Sequence, residues 1–471
     1  MSAALLMGVT ACGTSGDVAV RRTTPVTDTA PPSTDTTAPR AELDPEDLLA
    51  DVRESIAFVV TPTTQGSGVL VEGGYVVTNA HVVDPFAEAW VSFEGESRPR
   101  TVDVVGIDPF ADIALLGPLV VERDPLELAD SLDLAQGEDV YLIGYPGETE
   151  LEPEVTITSG LVSRLRDYEP FEQTYVQTDA AIAGGQSGGA LLDARGRVIG
   201  ISGLSFAEEF ALALGGPDVR QSIDAITAGD TPDYHPIATE PRVTTGAVDV
   251  PDEWTSSVLV VAAAENERSL QLTVPDDTEP TVYVSSLFGD VYLVNQRLID
   301  QAVADDPSLD PEFVGELLES SAPGVYDVTI AAGEAMTIGL GTIRPDGATV
   351  AFESSVPLVV FTDPDGEQSI ESGARVSGVI DYFELDDVYV LELTEGDDVT
   401  VKVSAGAGDP ILDFVAPGDR PDDDYIDDSG TGLYGYDVDE TFTAEATGTY
   451  RLHVAVNDLV VVGYHLDVDI E

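Results

Sequence analysis

The sequence has little cysteine and little positive charge. The first shortage excludes a disulfide within the chain, and the second argues against a nucleic-acid partner. Its 471 residues include one cysteine, so no disulfide can form within the chain. Only 20 residues are lysine or arginine, against 88 aspartate or glutamate, which gives a formal net charge of −68. A surface this acidic repels nucleic acid and anionic lipid headgroups, so we expect no nucleic-acid partner. Beyond the first residues, no apolar run is long enough for a transmembrane helix.

The length and hydrophobic content predict several folded domains. A chain of 471 residues exceeds a single hydrophobic core. A hydrophobic content of 43% is typical of folded protein and not of a disordered chain. The acidic residues are spread through every segment, which favours a solvated acidic surface over a dedicated cation site.

The single cysteine, Cys12, follows the short apolar segment AALLMGVTA. Val9 to Cys12 (VTAC) resembles the bacterial lipobox, whose cysteine is lipidated, so residues 1–12 are interpreted as a truncated lipoprotein signal segment. The segment lacks a positively charged start, and we expect the natural start to lie upstream. Residues 13–43 are rich in Thr and Pro and predict a disordered tether. A free cysteine in a disordered tail is the alternative.

Local patterns divide the rest of the chain into four parts. Residues 44–229 begin and end with short helices and contain ten or more short β-like runs between them, which predicts a barrel or sandwich. Residues 230–242 are polar and proline-rich and are interpreted as a linker. Residues 243–362 and 363–471 alternate apolar and polar residues, which predicts two antiparallel β-sandwich-like domains.

A glycine-wrapped serine is the strongest chemical signal. Ser187 lies in GGQSGG (184–189), where glycines allow neighbouring N–H groups to point into one space. A serine nucleophile needs an imidazole base and a carboxylate that orients the imidazole. TNAHVV supplies His81 and DPFADIALL supplies Asp112, in the order His, Asp, Ser. That order is the one found in chymotrypsin-like double barrels.

These three motifs resemble trypsin-like serine peptidases, most closely the HtrA/Deg branch, over about residues 50–228. The resemblance implies a mainly β, chymotrypsin-like double β-barrel, with His81 as base, Asp112 as orienting acid and Ser187 as nucleophile. It also implies an oxyanion hole formed by the N–H groups of Gly185 and Ser187, with Gln186 in the loop that aims them. The family has Asn or Asp where this chain has Gln186, so the loop geometry is left open.

The resemblance places the primary substrate pocket beside Ala181 and Ile182. Both residues are uncharged, so we expect cleavage after small or medium aliphatic residues and not after Lys or Arg.

Residues 363–471 resemble bacterial pre-peptidase C-terminal domains, which are small β-sandwiches appended to secreted peptidases. The matching elements are DPILDF and an ending of the form GTYRLHV. The acidic run DRPDDDYIDD (419–428) could hold calcium, but a solvated loop is favoured, and we expect no cofactor and no other metal site.

Two functions from different classes remain open. The leading hypothesis is an extracytoplasmic serine endopeptidase of the bacterial cell envelope, tethered to the membrane by a lipid on Cys12 and acting on protein or peptide substrates. The alternative is a non-catalytic surface binding protein that uses a peptidase-like scaffold. HtrA relatives commonly form homo-oligomers, and the sequence leaves the oligomeric state open.

Overall fold

The structure is a computed structural model. It describes residues 42–61, 64–96, 98–130, 132–147, 154–182, 185–203, 211–231, 242–250, 257–263, 268–274, 280–286, 292–294, 324–330, 334–342, 348–362, 367–381, 386–406, 408–418, 437–456 and 461–471. Within those ranges, every helix is too short or too polar to cross a bilayer. Cys12, most of the predicted tether, most of the predicted linker and the run 419–428 lie outside the described residues.

The first of two closed barrels has six strands in the order β1-β2-β3-β6-β5-β4. Helix α1 (Pro45–Val52) precedes it, and a short helix α2 (Ala80–Val83) follows the third strand. The strands are β1 (Ile56–Val60), β2 (Gln65–Val71), β3 (Tyr75–Thr78), β4 (Glu88–Phe93), β5 (Arg100–Asp108) and β6 (Ile113–Leu116).

The second barrel also has six strands, in the order β10-β11-β12-β9-β8-β7. Helix α3 (Gly216–Ala228) follows its last strand. The strands are β7 (Asp139–Gly144), β8 (Thr156–Tyr168), β9 (Gln173–Thr178), β10 (Ala190–Asp193), β11 (Val198–Ser202) and β12 (Ala211–Gly215). Each barrel encloses its own apolar cluster, and a third cluster fills the space between the barrels and the two flanking helices. This third cluster therefore fixes how the two barrels face each other across the cleft between them.

Helices α1 and α3 begin and end as local rules predict. The Asp44 side chain caps α1 by accepting hydrogen bonds from the N–H groups of Glu46 and Asp47 at 3.1 and 3.0 Å. Helix α3 ends at Gly229, whose φ of +73° is the left-handed conformation that glycine adopts without strain. Val219 and Ile226 of α3 are buried, as their helical spacing predicts.

Residues 242–362 contain one antiparallel sheet of eight strands among the described residues. The long strand β20 pairs with β13, β14 and β15 and so joins the sheet into one unit. The strands are β13 (Arg242–Val250), β14 (Ser257–Ala263), β15 (Arg268–Val274), β16 (Pro280–Ser286), β17 (Tyr292–Val294), β18 (Gly324–Ile330), β19 (Glu334–Thr342) and β20 (Ala348–Thr362).

The last part of the chain, residues 367–471, forms two four-stranded sheets around one core, and we call it the C-terminal sandwich. The strand orders are β21-β23-β27-β25 and β22-β28-β24-β26. The strands are β21 (Glu367–Ser369), β22 (Ala374–Ile380), β23 (Asp386–Leu393), β24 (Asp398–Ala405), β25 (Pro410–Val415), β26 (Val438–Thr443), β27 (Gly448–Val456) and β28 (Val462–Ile470). The predicted alternation is present: Val399, Val401 and Val403 of β24 are fully buried.

The predicted fold class, a double barrel followed by antiparallel β-domains, is confirmed. The predicted domain boundaries stay predictions. At one of them the chain is already held by the second barrel, because the Leu43 N–H donates to the Ala194 carbonyl at 2.8 Å.

Candidate active site

The closure of the first barrel brings His81 and Asp112 together. Thr78 at the end of β3 pairs with Ala114 near the start of β6, so the residues just outside this pair meet. His81 Nδ1 lies 2.8 Å from Asp112 Oδ2, and the His81 backbone N–H donates to Asp112 Oδ1 at 3.1 Å. Both side chains are largely buried, with exposed fractions of 12% and 8%. This contact keeps Nδ1 on the carboxylate and leaves Nε2 for proton transfer.

The backbone of Asp112 is strained and held in place. Its φ of +52° is a left-handed conformation, which costs on the order of 1 kcal/mol for a non-glycine residue. The Asn79 side-chain amide donates to the Asp112 carbonyl at 2.9 Å, and the Ala80 N–H donates to it at 3.2 Å. The segment that carries the imidazole therefore also fixes the carboxylate.

The loop that carries Ser187 packs directly on the first barrel. The Ser67 N–H donates to the Ser187 carbonyl at 2.8 Å. Gly188 has a φ of +79°, and a Cβ there would lie 2.2 Å from the Ser67 carbonyl oxygen and 2.3 Å from Thr78 Oγ1, so only glycine fits. The loop that carries Ser187 is thus held against strands β2 and β3 of the first barrel. Both His81 and Ser187 are described, and the structure has no hydrogen bond between their side chains; such bonds often form only with substrate.

One half of the predicted oxyanion hole is aimed by two hydrogen bonds. The Gln186 carbonyl accepts from Ser202 Oγ at 2.7 Å and from the Gly189 N–H at 2.9 Å. A trans peptide is planar, with its C=O and N–H pointing in opposite directions. Fixing the Gln186 carbonyl therefore turns the Ser187 N–H the other way, and no carbonyl among the described residues accepts from it.

The other half involves Gly185, which is held through Ser67. Ser67 Oγ donates to the Gly185 carbonyl at 2.9 Å and accepts from the Tyr145 N–H at 2.8 Å. Gly185 has a φ of +86°, and a Cβ there would lie 2.4 Å from the Gly147 nitrogen. The N–H of Gly185 shares its peptide with Gly184, which lies outside the described residues.

The Gln186 side chain is buried below the loop, and its Nε2 donates to Thr156 Oγ1 at 3.1 Å. Gln186 is larger than the Asn or Asp of the family, and its contact with Thr156 at the start of β8 accommodates the longer side chain. Of the predicted pocket residues, Ala181 is exposed and Ile182 packs on the core of the second barrel. Their role in a substrate pocket stays a prediction.

Two other aspartates near the predicted motifs, Asp108 and Asp179, have structural contacts. Asp108 accepts from Ser222 Oγ at 2.7 Å and from the Phe110 N–H at 3.1 Å, and burial raises the pKa of its carboxyl. Asp179 accepts from the Leu161 N–H at 2.6 Å. Among the described residues, no cluster of three or more His, Cys, Asp and Glu side chains is arranged to hold a metal ion.

A cavity of about 420 Å³ lies between the two barrels, α3 and the C-terminal sandwich, and none of His81, Asp112 and Ser187 lines it. Its lining includes Asp108, Phe110, Phe171, Arg375 and His465. The cavity therefore belongs to the contact between the barrels and the C-terminal sandwich.

Sequence reasoning missed the residues that support the site. Ser67, Ser202 and Asn79 make the hydrogen bonds that hold the Ser187 loop and Asp112, yet none belongs to a recognisable catalytic group. Asn79 stood inside the motif TNAHVV and was the only one of the three that a motif could have indicated.

The chain is similar in sequence to known serine proteases over part of its length. A family model described as the trypsin-like peptidase domain matches residues 66–201. The chain is 36% identical over 182 residues to a probable periplasmic serine endoprotease DegP-like of Halomonas elongata, covering 35% of this chain and 36% of that protein. It is 42% identical over 147 residues to the periplasmic serine endoprotease DegP of Salmonella typhimurium, covering 29% of each.

Two further relatives extend the comparison. The chain is 37% identical over 200 residues to the mitochondrial serine protease HTRA2 of Bos taurus, covering 36% of this chain and 42% of that protein. A solved structure described as HtrA-type protease AlgW with tripeptide is 26% identical, covers 40% of this chain and 64% of that one, and has a TM-score of 0.36. The chain spans less than half the length of each of the three curated relatives.

The double barrel and the family match define a chain that contains a trypsin-like peptidase domain. The relatives in sequence are DegP and HTRA2 proteases. Over the matched residues, the chain is therefore similar to the trypsin-like peptidase domain of HtrA-type serine proteases.

Proposed function

We propose that the chain is a serine endopeptidase that hydrolyses peptide bonds through an acyl-enzyme. Ser187 Oγ attacks the carbonyl carbon while His81 Nε2 takes its proton, and Asp112 holds the imidazole in the required tautomer. The N–H groups of Ser187 and Gly185 stabilise the negative charge that develops on the carbonyl oxygen. His81 then gives the proton to the leaving amine, and water hydrolyses the acyl-enzyme.

The observation that carries this proposal is the contact between His81 and Asp112. The N–H of Ser187 adds to it, because hydrogen bonds to the Gln186 carbonyl fix the direction of that N–H. Acyl transfer by a serine needs both an oriented imidazole and an oriented N–H donor. The 2.8 Å contact of His81 with Asp112 meets the first requirement, and the hydrogen bond to the Gln186 carbonyl meets the second. The periplasmic endoproteases among the relatives support the same activity. A non-catalytic binding protein is not favoured, because such a scaffold has no need for either arrangement.

The activity is tested on the purified full chain with an unfolded protein substrate and a peptide library. We expect cleavage products from the parent chain and none from Ser187→Ala. Equal product formation by both proteins would contradict the proposal, since hydrolysis would then come from a contaminant or another site.

The same library tests specificity. We expect Val, Ala or Leu before the cleaved bond, because Ala181 and Ile182 carry no charge that could pair with a basic side chain. A profile dominated by Lys or Arg would contradict this assignment of the pocket.

We further propose an extracytoplasmic location with a lipid anchor on Cys12. The lipobox-like segment VTAC, the Thr/Pro-rich tether and the periplasmic relatives support it. In cells that express the chain behind a complete signal peptide, Cys12→Ser should release the protein from the membrane fraction. Unchanged membrane attachment of Cys12→Ser would contradict the anchor.

A further inference from the structure

The loop that ends at Asp112, residues 108–112, contacts the C-terminal sandwich. The Gly463 N–H of β28 donates to the Pro109 carbonyl at 3.0 Å. The Phe110 ring stacks on the His465 imidazole, with centroids 5.5 Å apart. Residues far apart in the chain thus meet within two positions of the predicted catalytic acid.

The sandwich backbone approaches Phe110 closely at two glycines, Gly463 and Gly406. A Cβ on Gly463 would lie 2.5 Å from Phe110 Cδ1, and one on Gly406 would lie 2.1 Å from the Phe110 carbonyl oxygen. Both distances are shorter than real Cβ contacts. The close approach therefore depends on glycine at both positions of the sandwich.

The sandwich is also held by the second barrel. The Tyr168 hydroxyl lies 2.8 Å from Asp437 Oδ2 and 3.0 Å from the Ala405 carbonyl oxygen. The Phe171 ring stacks on His465 with centroids 4.5 Å apart. Burial raises the pKa of the Asp437 carboxyl, which is consistent with a desolvated contact. The sandwich therefore contacts both barrels.

We propose that the C-terminal sandwich is a positioning element for Asp112, and that Phe110 is the positioning residue through which it acts. Asp112 has a left-handed backbone, which persists only where its surroundings hold it. Asn79 and Ala80 hold it from the imidazole side. The hydrogen bond from Gly463 to Pro109 and the stacking of His465 on Phe110 hold the same loop from the sandwich. Only the expected change in kcat rests on the proposed peptidase function; the positioning of Asp112 does not.

The sharpest test changes the sandwich and leaves both barrels untouched. Gly463→Ala places a methyl group 2.5 Å from Phe110 Cδ1, so the loop must move by about 1 Å to restore ordinary contact. A displacement of this size near a catalytic group can cost up to ~100-fold in rate. Gly448→Ala is the matched control, because its Cβ would lie 2.9 Å from Pro417 within the sandwich and touch neither barrel.

Two readouts distinguish positioning from a general loss of structure. In Gly463→Ala we expect kcat for a peptide substrate to fall roughly tenfold to a hundredfold with little change in KM, whereas Gly448→Ala keeps both. The chain has only four histidines, so ¹⁵N-histidine labelling gives a simple spectrum. The resonance of the His81 Nδ1–H bonded to Asp112 should shift or broaden in Gly463→Ala and stay unchanged in Gly448→Ala.

An unchanged His81 resonance and an unchanged kcat in Gly463→Ala, with the parent fold retained, would overturn the proposal. If Gly463→Ala does not fold, Phe110→Ala, which removes the stacked ring without overpacking, decides the question by the same two readouts. A parent chain that shows the resonance but no turnover contradicts the proposed peptidase function, and the NMR comparison then decides the positioning proposal alone.

Discussion

Ser202 is the residue whose replacement tests the oxyanion geometry most selectively. Its hydroxyl donates to the Gln186 carbonyl at 2.7 Å and lies 3.2 Å from the Gly189 carbonyl oxygen, and the residue is fully buried. In Ser202→Ala, the Gln186 carbonyl keeps the Gly189 N–H as donor, and the Gly189 carbonyl keeps the Ser202 N–H. The loss of one such bond should lower the free energy of unfolding by about 1 kcal/mol.

The expected kinetic effect follows from the orientation of one peptide. Removing an oxyanion donor entirely costs on the order of 10² to 10³ in kcat. Ser202→Ala leaves the Ser187 N–H present but removes one of the two bonds that aim it. We therefore expect kcat to fall about tenfold, which corresponds to ~1.4 kcal/mol of transition-state stabilisation, with KM little changed.

The assay is steady-state hydrolysis of a peptide substrate, combined with thermal unfolding. Ser55→Ala is the matched control, because Ser55 is also buried and its hydroxyl donates to the Asp124 carbonyl at 2.5 Å, away from the loop. It should lose similar stability without losing kcat. If Ser202→Ala unfolds at a lower temperature but keeps the parent kcat, the hydrogen bond to the Gln186 carbonyl does not determine the oxyanion geometry. That result would refute our reasoning.

Three further predictions concern the loop glycine and the domain contact. Gly188→Ala should abolish hydrolysis, since its Cβ would lie 2.2 Å from the Ser67 carbonyl; full activity in a kinetic assay would contradict the packing. Tyr168→Phe should lower the free energy of unfolding by about 1 to 3 kcal/mol in chemical denaturation, because buried Asp437 loses a donor; no change would contradict that contact. Burial lowers the pKa of His465 below 6.5, so the unfolded state binds its proton first and stability should fall as pH drops through 6.5. His465→Phe should weaken this dependence of Tm on pH, and an unchanged slope would exclude His465 as its source.

Local sequence rules were sufficient for the start of the first helix, α1. Asp44 followed by Pro45 is typical of the start of a helix, and the structure has α1 beginning at Pro45 with its cap at Asp44. The order of His81, Asp112 and Ser187 predicted a double barrel, which is also present. The helix cap depends on a few adjacent residues, whereas the double barrel was predicted from the order of three short motifs along the chain.

The supports of the site could not be predicted because they join distant parts of the chain. Ser67 binds the carbonyl of Gly185, 118 positions away, through a register that exists only once both barrels have closed. The apolar run around His81 gave no sign that it forms the helical turn α2. The contact of Gly463 with Phe110 depends on the docking of two domains, for which no local pattern exists. The resemblance of the sandwich to pre-peptidase C-terminal domains stays a prediction.

Covalent labelling of Ser187 tests the central claim most directly. A fluorophosphonate reacts only with a serine activated by its base, so we expect one adduct in the folded parent chain, on the peptide that contains Ser187. The adduct should be absent in Ser187→Ala and form far more slowly in His81→Ala. A folded parent chain without an adduct, or an equal adduct in Ser187→Ala, would contradict the account.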